Sequence, residues 1–407
     1  MDVTRERHAP LYSPSLDHDS CGVGLVVDIH GRPSREIVDK ALAGLINLTH
    51  RGGVGADART GDGAGILMQI PHRLFADVLG ELGAGDLGPG DYAVAMVFMP
   101  RGSTGEDGKR SFERGLELRD LSLIGWREVP IVAEMLGETA ARTRPDIWQA
   151  LIARPETMDL DAFERELMVA RRIAEREAAA VGMGDFFVAS ASARTVIYKG
   201  FCLPEDLGRF YTDLQDERVE SAIVLFHQRY STNTFPTWGM AQPFRYIAHN
   251  GEINTIQGNR KWMAARERDL VMEGVDTDLL TPAVSQEGSD SLSFDNALEL
   301  LHHGGRTLPR ALMMMVPEPW EQLPEMDPDR RAFYDFHAGL IEQWDGPAAI
   351  GFTDGVLAGA TLDRNGLRPL RYAITSDGLF VAGSEAGTVE IDQSRVVEKG
   401  RLGPGQM

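Results

Sequence analysis

Short runs dominated by Val, Ile, Phe and Ala recur along the chain, most of them bounded by Gly, Asp or Pro. They predict strands at Gly22–Asp28, Tyr92–Met99, Phe186–Ser190, Thr195–Tyr198, Ser221–Phe226, Ala349–Thr353, Val356–Thr361 and Leu379–Gly383. Several lie close together with short connections, which favours antiparallel sheets over β–α–β units. A second spacing, with apolar residues three and four apart, predicts helices. Ile37, Ala41, Leu45 and Leu48 share one helix face, with Ser34 as its N-cap. Phe163 to Ala180 reads as a charged amphipathic helix, and Ser293 to His302 as another, stopped by Gly304-Gly305. Helices mixed with antiparallel strands predict an α+β protein with layers of helix over stacked sheets.

Residues 71–215 carry no catalytic signature. Their charged, helix-rich stretches, such as Pro145–Ala180, read as an elaboration on a smaller core. The Arg171-Arg172 pair with Arg176 is interleaved with Glu and reads as a solvated helix face. The last residues, Gly400 to Met407, read as a strand and turn entering something else, so a piece of a longer polypeptide is expected.

Composition narrows the function. The 407 residues carry a net charge of −20, with 43% hydrophobic and 25% charged positions. That is a globular profile, and the acidic balance without a basic patch argues against nucleic acid. No apolar run reaches the ~18 residues of a membrane span. Residues 1–20 are largely polar and lack the apolar centre of a secretory signal. Two cysteines form no disulfide framework, which suits a reducing cytoplasm. The histidines show no metal spacing.

Four positions stand out chemically. Cys21 opens an apolar strand, and Gly22 and Gly24 beside it would permit close approach of a ligand. If residues 1–20 are removed, Cys21 gains an α-amino group of pKa about 7.7–8.0, a base of its own. Asn250-Gly251 is either a hairpin turn or a pair of donors, side-chain amide and backbone N–H, for an oxyanion. Arg229 follows an apolar strand and is either a surface salt-bridge partner or a bidentate clamp on a carboxylate, which its guanidinium suits. The loop behind it, Ser231 to Trp238, could close over a small ligand. Asp290 is either a helix cap or the partner of an ammonium group. Cys202 reads as a buried small apolar residue.

The motifs "DHDSCGVG", "HRGGVGADARTGDGAG", "FHQRYSTNTFPTW", "AHNGEINT", "EGSDSLSFDN" and "LDRNGLRPLRY" together resemble the N-terminal glutaminase domain of glutamate synthase large subunits. That domain is a class II glutamine amidotransferase of the N-terminal-nucleophile hydrolase superfamily. The resemblance covers residues 11–407. It implies a four-layer αββα sandwich and a propeptide, residues 1–20, removed to expose the nucleophile Cys21. It further implies an oxyanion hole of Asn250 and Gly251, with Arg229 and Asp290 holding the α-carboxylate and α-amino groups of L-glutamine. Thr232 resembles a lesser substrate contact, and Arg51 a support near the nucleophile. Gly53 departs from the small non-glycine residue expected there. The resemblance implies hydrolysis of glutamine to glutamate and ammonia through a Cys thioester, the ammonia going to 2-oxoglutarate. No cofactor is expected in this segment. The full enzyme would carry FMN and an iron–sulfur cluster, with FAD and NADPH on an electron-donating small subunit, and would oligomerise. Two alternatives stand beside it: a class II enzyme serving another acceptor, and an unprocessed glutamine-sensing domain.

Overall fold

The computed structural model describes residues 21–102, 104–229 and 237–407. The strands are β1 (Gly22–Asp28), β2 (Ala64–Gln69), β3 (Tyr92–Met99), β4 (Ser122–Glu128), β5 (Asp146–Ala153), β6 (Phe187–Ser192) and β7 (Thr195–Gly200). They continue as β8 (Ile223–Gln228), β9 (Ile247–Gly251), β10 (Ala348–Thr353), β11 (Ala358–Leu362), β12 (Arg371–Thr375), β13 (Leu379–Gly383) and β14 (Val396–Arg401). The helices are α1 (Arg35–Asn47), α2 (His72–Glu81), α3 (Thr104–Glu117), α4 (Glu138–Thr143) and α5 (Leu160–Ala180). They are followed by α6 (Pro204–Phe210), α7 (Ile256–Arg266), α8 (Asp290–His303), α9 (Leu308–Met315) and α10 (Pro328–Ala338).

A seven-stranded sheet runs β14-β12-β13-β1-β8-β2-β7, and a three-stranded sheet runs β11-β10-β9. Their strand pairs are antiparallel. Side chains alternate across a strand, so each sheet has two distinct faces. Val23 and Leu25 of β1, with Leu67 and Leu225, pack against Ala248, Ala349 and Leu362 of the smaller sheet. On the opposite face of the large sheet, Val26, Ile66, Val224 and Phe226 meet Val38, Ala41 and Leu45 of α1 and Phe210 of α6. Outside the small sheet, Ile247, Ile350 and Phe352 meet Phe294 and Leu298 of α8 and Leu312 of α9. The order is therefore helix, sheet, sheet, helix: the expected four-layer αββα sandwich.

Ser34 caps α1, its Oγ accepting from Ile37 N at 3.4 Å. The two glycines after Cys21 have a different use from the one their spacing suggested. A Cβ on Gly22 would lie 2.7 Å from Leu48 Cδ1, and one on Gly24 would lie 2.1 Å from Phe226 Cζ. They make room for the core beneath α1, on the face of β1 that carries Val26. Val23, and by alternation Cys21, belong to the other face.

Within residues 71–215, a further sheet runs β4-β5-β3-β6. One face packs Ala93 and Ala95 against Phe112 of α3 and Phe163 and Leu167 of α5. The stretch from Asp146 to Ala153, read as part of a helix-rich segment, is a strand of this sheet. β7, also within residues 71–215, is an edge of the seven-stranded sheet.

Arg171 and Arg172 are not on a solvated face. Arg171 is 2% exposed, bonded to Glu175 at 2.6 Å and to Glu299 of α8 at 2.5 Å. Arg172 reaches Glu299 at 3.3 Å. Helix α8 covers this side of α5, and the interleaved charges are neutralised across the contact rather than by water.

Candidate active site

Antiparallel register builds the first half of the site. Gly22 of β1 lies opposite Gln228 of β8, so Cys21 and Arg229 both leave the sheet at the same end. Arg229 has φ +84°, unusual for a non-glycine residue. Its backbone N–H donates to Gly63 O at 2.8 Å, which holds this turn. Its Nε lies 3.4 Å from Asp62 Oδ2, which also accepts from Gly53 N at 2.6 Å. The glycine-dense segment after α1 thus grips Arg229 at main chain and side chain. Asp62 lies in a glycine-dense motif whose pattern alone assigns it no role; the fold brings it to Arg229.

The facing sheet supplies the second half. Ala248 of β9 points into the layer between the sheets, so Asn250, two residues on, shares that face. Asn250 is 4% exposed, and its Oδ1 has no hydrogen-bond partner among the described residues. Asn250-Gly251 is the end of β9, paired with Ala349 and Ala348 of β10, and not a hairpin turn. Gly251 has φ +124°.

Asp290 is the first residue of α8 and is buried; Ser289 caps the helix, its Oγ accepting from Leu292 N at 3.1 Å. Asp290 Oδ2 accepts from Ile253 N at 2.8 Å, two residues beyond Gly251. Hence the carboxylate whose charge acts on the Cys21 thiol also holds the chain leaving the Asn250-Gly251 pair.

Electrostatics ties the halves together. Burial pushes the Cys21 thiol up to about 11; Arg229 opposes this, Asp290 adds to it and Arg368 opposes it. Arg368 lies in the loop after β11 and was not singled out in sequence. Buried Asp363 organises that loop, accepting from Asn365 N at 3.0 Å and Arg368 N at 3.3 Å, and from Ala348 N of β10 at 3.1 Å. Arg51 pairs with Glu385 at 3.1 Å. Ser384, next to Glu385, bonds the β1 main chain through its N–H to Val23 O at 2.9 Å. Arg51 therefore braces the start of β1 from outside. Thr232 lies outside the described residues, as do residues 1–20. Cys202 is buried 1% exposed beneath α6, in the helix-side core.

Among the described residues, no helix is long and apolar enough to cross a membrane, and no group of three or more His, Cys, Asp or Glu could hold a metal ion.

The family model of class II glutamine amidotransferases matches residues 21–407, starting at Cys21 itself. The chain belongs to the class II glutamine amidotransferases. Among its relatives, the glutamate synthase [NADPH] large chain of Bacillus subtilis is 44% identical over 404 residues, 98% of this chain and 26% of the relative. The corresponding large chain of Azospirillum brasilense is 44% identical over 407 residues, again 98% and 26%. Ferredoxin-dependent glutamate synthase 2 of Synechocystis is 44% identical over 398 residues, 96% of this chain and 25% of that one. This amidotransferase chain thus spans about a quarter of the length of the relatives it matches.

Proposed function

We propose that the chain hydrolyses L-glutamine to L-glutamate and ammonia, with Cys21 as nucleophile and its own α-amino group as base. The observation that carries this reading is the convergence of Cys21, Arg229, Asn250 and Asp290 from four separate elements on one end of the sheet stack. A buried thiol at about 11 is almost wholly protonated at neutral pH, so attack requires a base beside it. Removal of residues 1–20 supplies one, because a free α-amino group titrates near 7.7–8.0 whereas a peptide nitrogen accepts no proton. Arg229 binds the glutamine carboxylate and Asp290 its ammonium. The α-amino group takes the thiol proton, directly or through water, and the thiolate attacks the side-chain amide carbon. The Asn250 amide and Gly251 N–H stabilise the oxyanion. The nitrogen leaves as ammonia with the transferred proton, and water cleaves the thioester to glutamate.

The relatives' names support glutamate synthase as the parent activity. In that reading the ammonia passes to 2-oxoglutarate in domains of the same polypeptide that carry FMN and an iron–sulfur cluster. An electron-donating partner would complete a cytoplasmic, oligomeric enzyme. Relatives named for NADPH and for ferredoxin leave the donor to experiment.

N-terminal sequencing and intact mass of active protein test the mechanism. The expected terminus is Cys-Gly-Val-Gly, and Cys21→Ser should abolish most turnover while Cys202→Ser leaves it nearly intact. Full glutaminase activity from a chain that retains Met1 would refute the proposal.

A further inference from the structure

We infer that Gln242 is a positioning residue that sets the oxyanion hole against the carboxylate for the substrate ammonium; this rests on the glutaminase reading above. Gln242 is 1% exposed. Its Oε1 accepts from His249 N at 2.8 Å, and its Nε2 lies 3.4 Å from His249 O and 3.3 Å from Ser291 Oγ. His249 immediately precedes Asn250, and Ser291 immediately follows Asp290. One planar amide therefore joins the neighbours of two residues that act at opposite ends of glutamine.

The need for such a clamp follows from topology. Among the described residues β9 is an edge strand of the three-stranded sheet, so its outer main-chain groups have no described strand to pair with. Gln242 bonds both the N–H and the C=O of His249 and stands in for the missing strand at that residue. His227 adds a second hold, its Nε2 lying 3.0 Å from His249 O. His227 sits on β8 opposite Val23 of β1, the strand that begins after Cys21. The peptide before Asn250 is thus fixed relative to both the nucleophile strand and the start of α8. A loose peptide there would let the Asn250 donor swing away from the developing charge without disturbing the thiol.

The test is steady-state glutaminase kinetics on the full-length protein, in a double-mutant cycle of Gln242→Ala with Asn250→Ala. An oxyanion donor is worth about 10²–10³ in rate, so its misplacement by Gln242→Ala should lower kcat by about 10–100-fold. The Michaelis constant should change by less than about threefold, because the loss falls on the transition state. In the Asn250→Ala background the same change should cost less than about threefold more, since residues acting through one another are not additive. Alkylation of Cys21 by iodoacetamide should proceed at the wild-type rate. Gln242→Met keeps the side-chain volume but makes neither bond to His249; it should lose about as much kcat as Gln242→Ala, and it carries the cycle if the alanine variant does not fold. Multiplicative losses in the double variant, or a rise in the Michaelis constant alone, would overturn the positioning role while leaving the glutaminase reading intact. An unchanged kcat for Asn250→Ala by itself would overturn both.

Discussion

Gly251→Ala is the sharpest single test of the oxyanion geometry. A Cβ at this position would lie 1.7 Å from the carbonyl oxygen of Pro347, 2.8 Å from its carbon and 3.1 Å from Ala348 Cα. All three are main-chain atoms, so no side-chain rotation relieves the overlap. The backbone also sits at φ +124°, a conformation that costs an L-residue about 1–3 kcal/mol. Overpacking adds about 1–3 kcal/mol more. The sum, about 2–6 kcal/mol, is less than the upper range of a domain's stability, so folded protein should still be obtained. The larger effect is catalytic. The β9–β10 register must yield where Gly251 meets Ala348, and a shift of ~1 Å in a reacting group can cost about 10²-fold. We expect kcat to fall at least about 100-fold, with a lower urea midpoint. Gly258→Ala is the control: it lies in α7 with nothing within 4 Å of its Cβ, and should stabilise by about 0.5–1 kcal/mol at unchanged kcat. A Gly251→Ala enzyme with wild-type kcat and urea midpoint would refute the geometry.

Three further outcomes are expected. Asp290→Asn retains an oxygen for Ile253 N but loses the charge, so kcat/KM should fall by the ~2–5 kcal/mol of a desolvated pair, mainly through KM; Asp290→Ala should lower kcat as well, and equal kinetics for the two would exclude a role for the Ile253 bond. With residues 1–20 retained and no glutamine, the iodoacetamide rate at Cys21 should rise through about pH 11, because burial favours the neutral thiol; the associated stability is present below the reference value of 9.0 and lost as pH climbs through 11, and a midpoint at or below 9 would contradict it. Burial alone would raise the Glu299 carboxyl, but Arg171, Arg245 and Arg172 hold it down at about 2, so its contribution is complete above about 4.5 and lost as pH falls towards 2. Glu299→Ala should cost about 3–5 kcal/mol in urea unfolding at neutral pH, and an unchanged midpoint would show that these arginines do not depend on it.

Several elements were legible from pattern alone. The bounds of β1, β3 and β13 match the apolar runs, because each is a buried strand flanked by turn residues. Ser34 as a cap and the stripe from Ile37 to Leu48 gave α1. β4 was missed because none of its residues is buried, which leaves no alternation to read. β2 was hidden in a glycine-dense motif, and β9 behind an Asn-Gly pair that looks like a turn. At the site, Cys21, Arg229, Asn250 and Asp290 carried signals in residue type and neighbours. Arg368, Asp62 and Gln242 did not, since their roles arise from loops and strands far apart in sequence. Local charge interleaving also misled: the partner that buries Arg171 is Glu299, 128 residues away.

That buried pair bears on how the protein could be cut down. The elaboration and the core cannot be separated as modules at 71–215, because β7 is an edge of the main sheet and α5 carries two of the guanidinium groups that neutralise Glu299. Helix α8 begins at Asp290 and holds Glu299 nine residues further on. An excised α5 would leave an under-neutralised carboxylate on the helix whose first residue is proposed to hold the substrate ammonium. A minimal ammonia-releasing unit for engineering would have to keep the appended layer, or refill its footprint with apolar side chains and replace Glu299 at the same time.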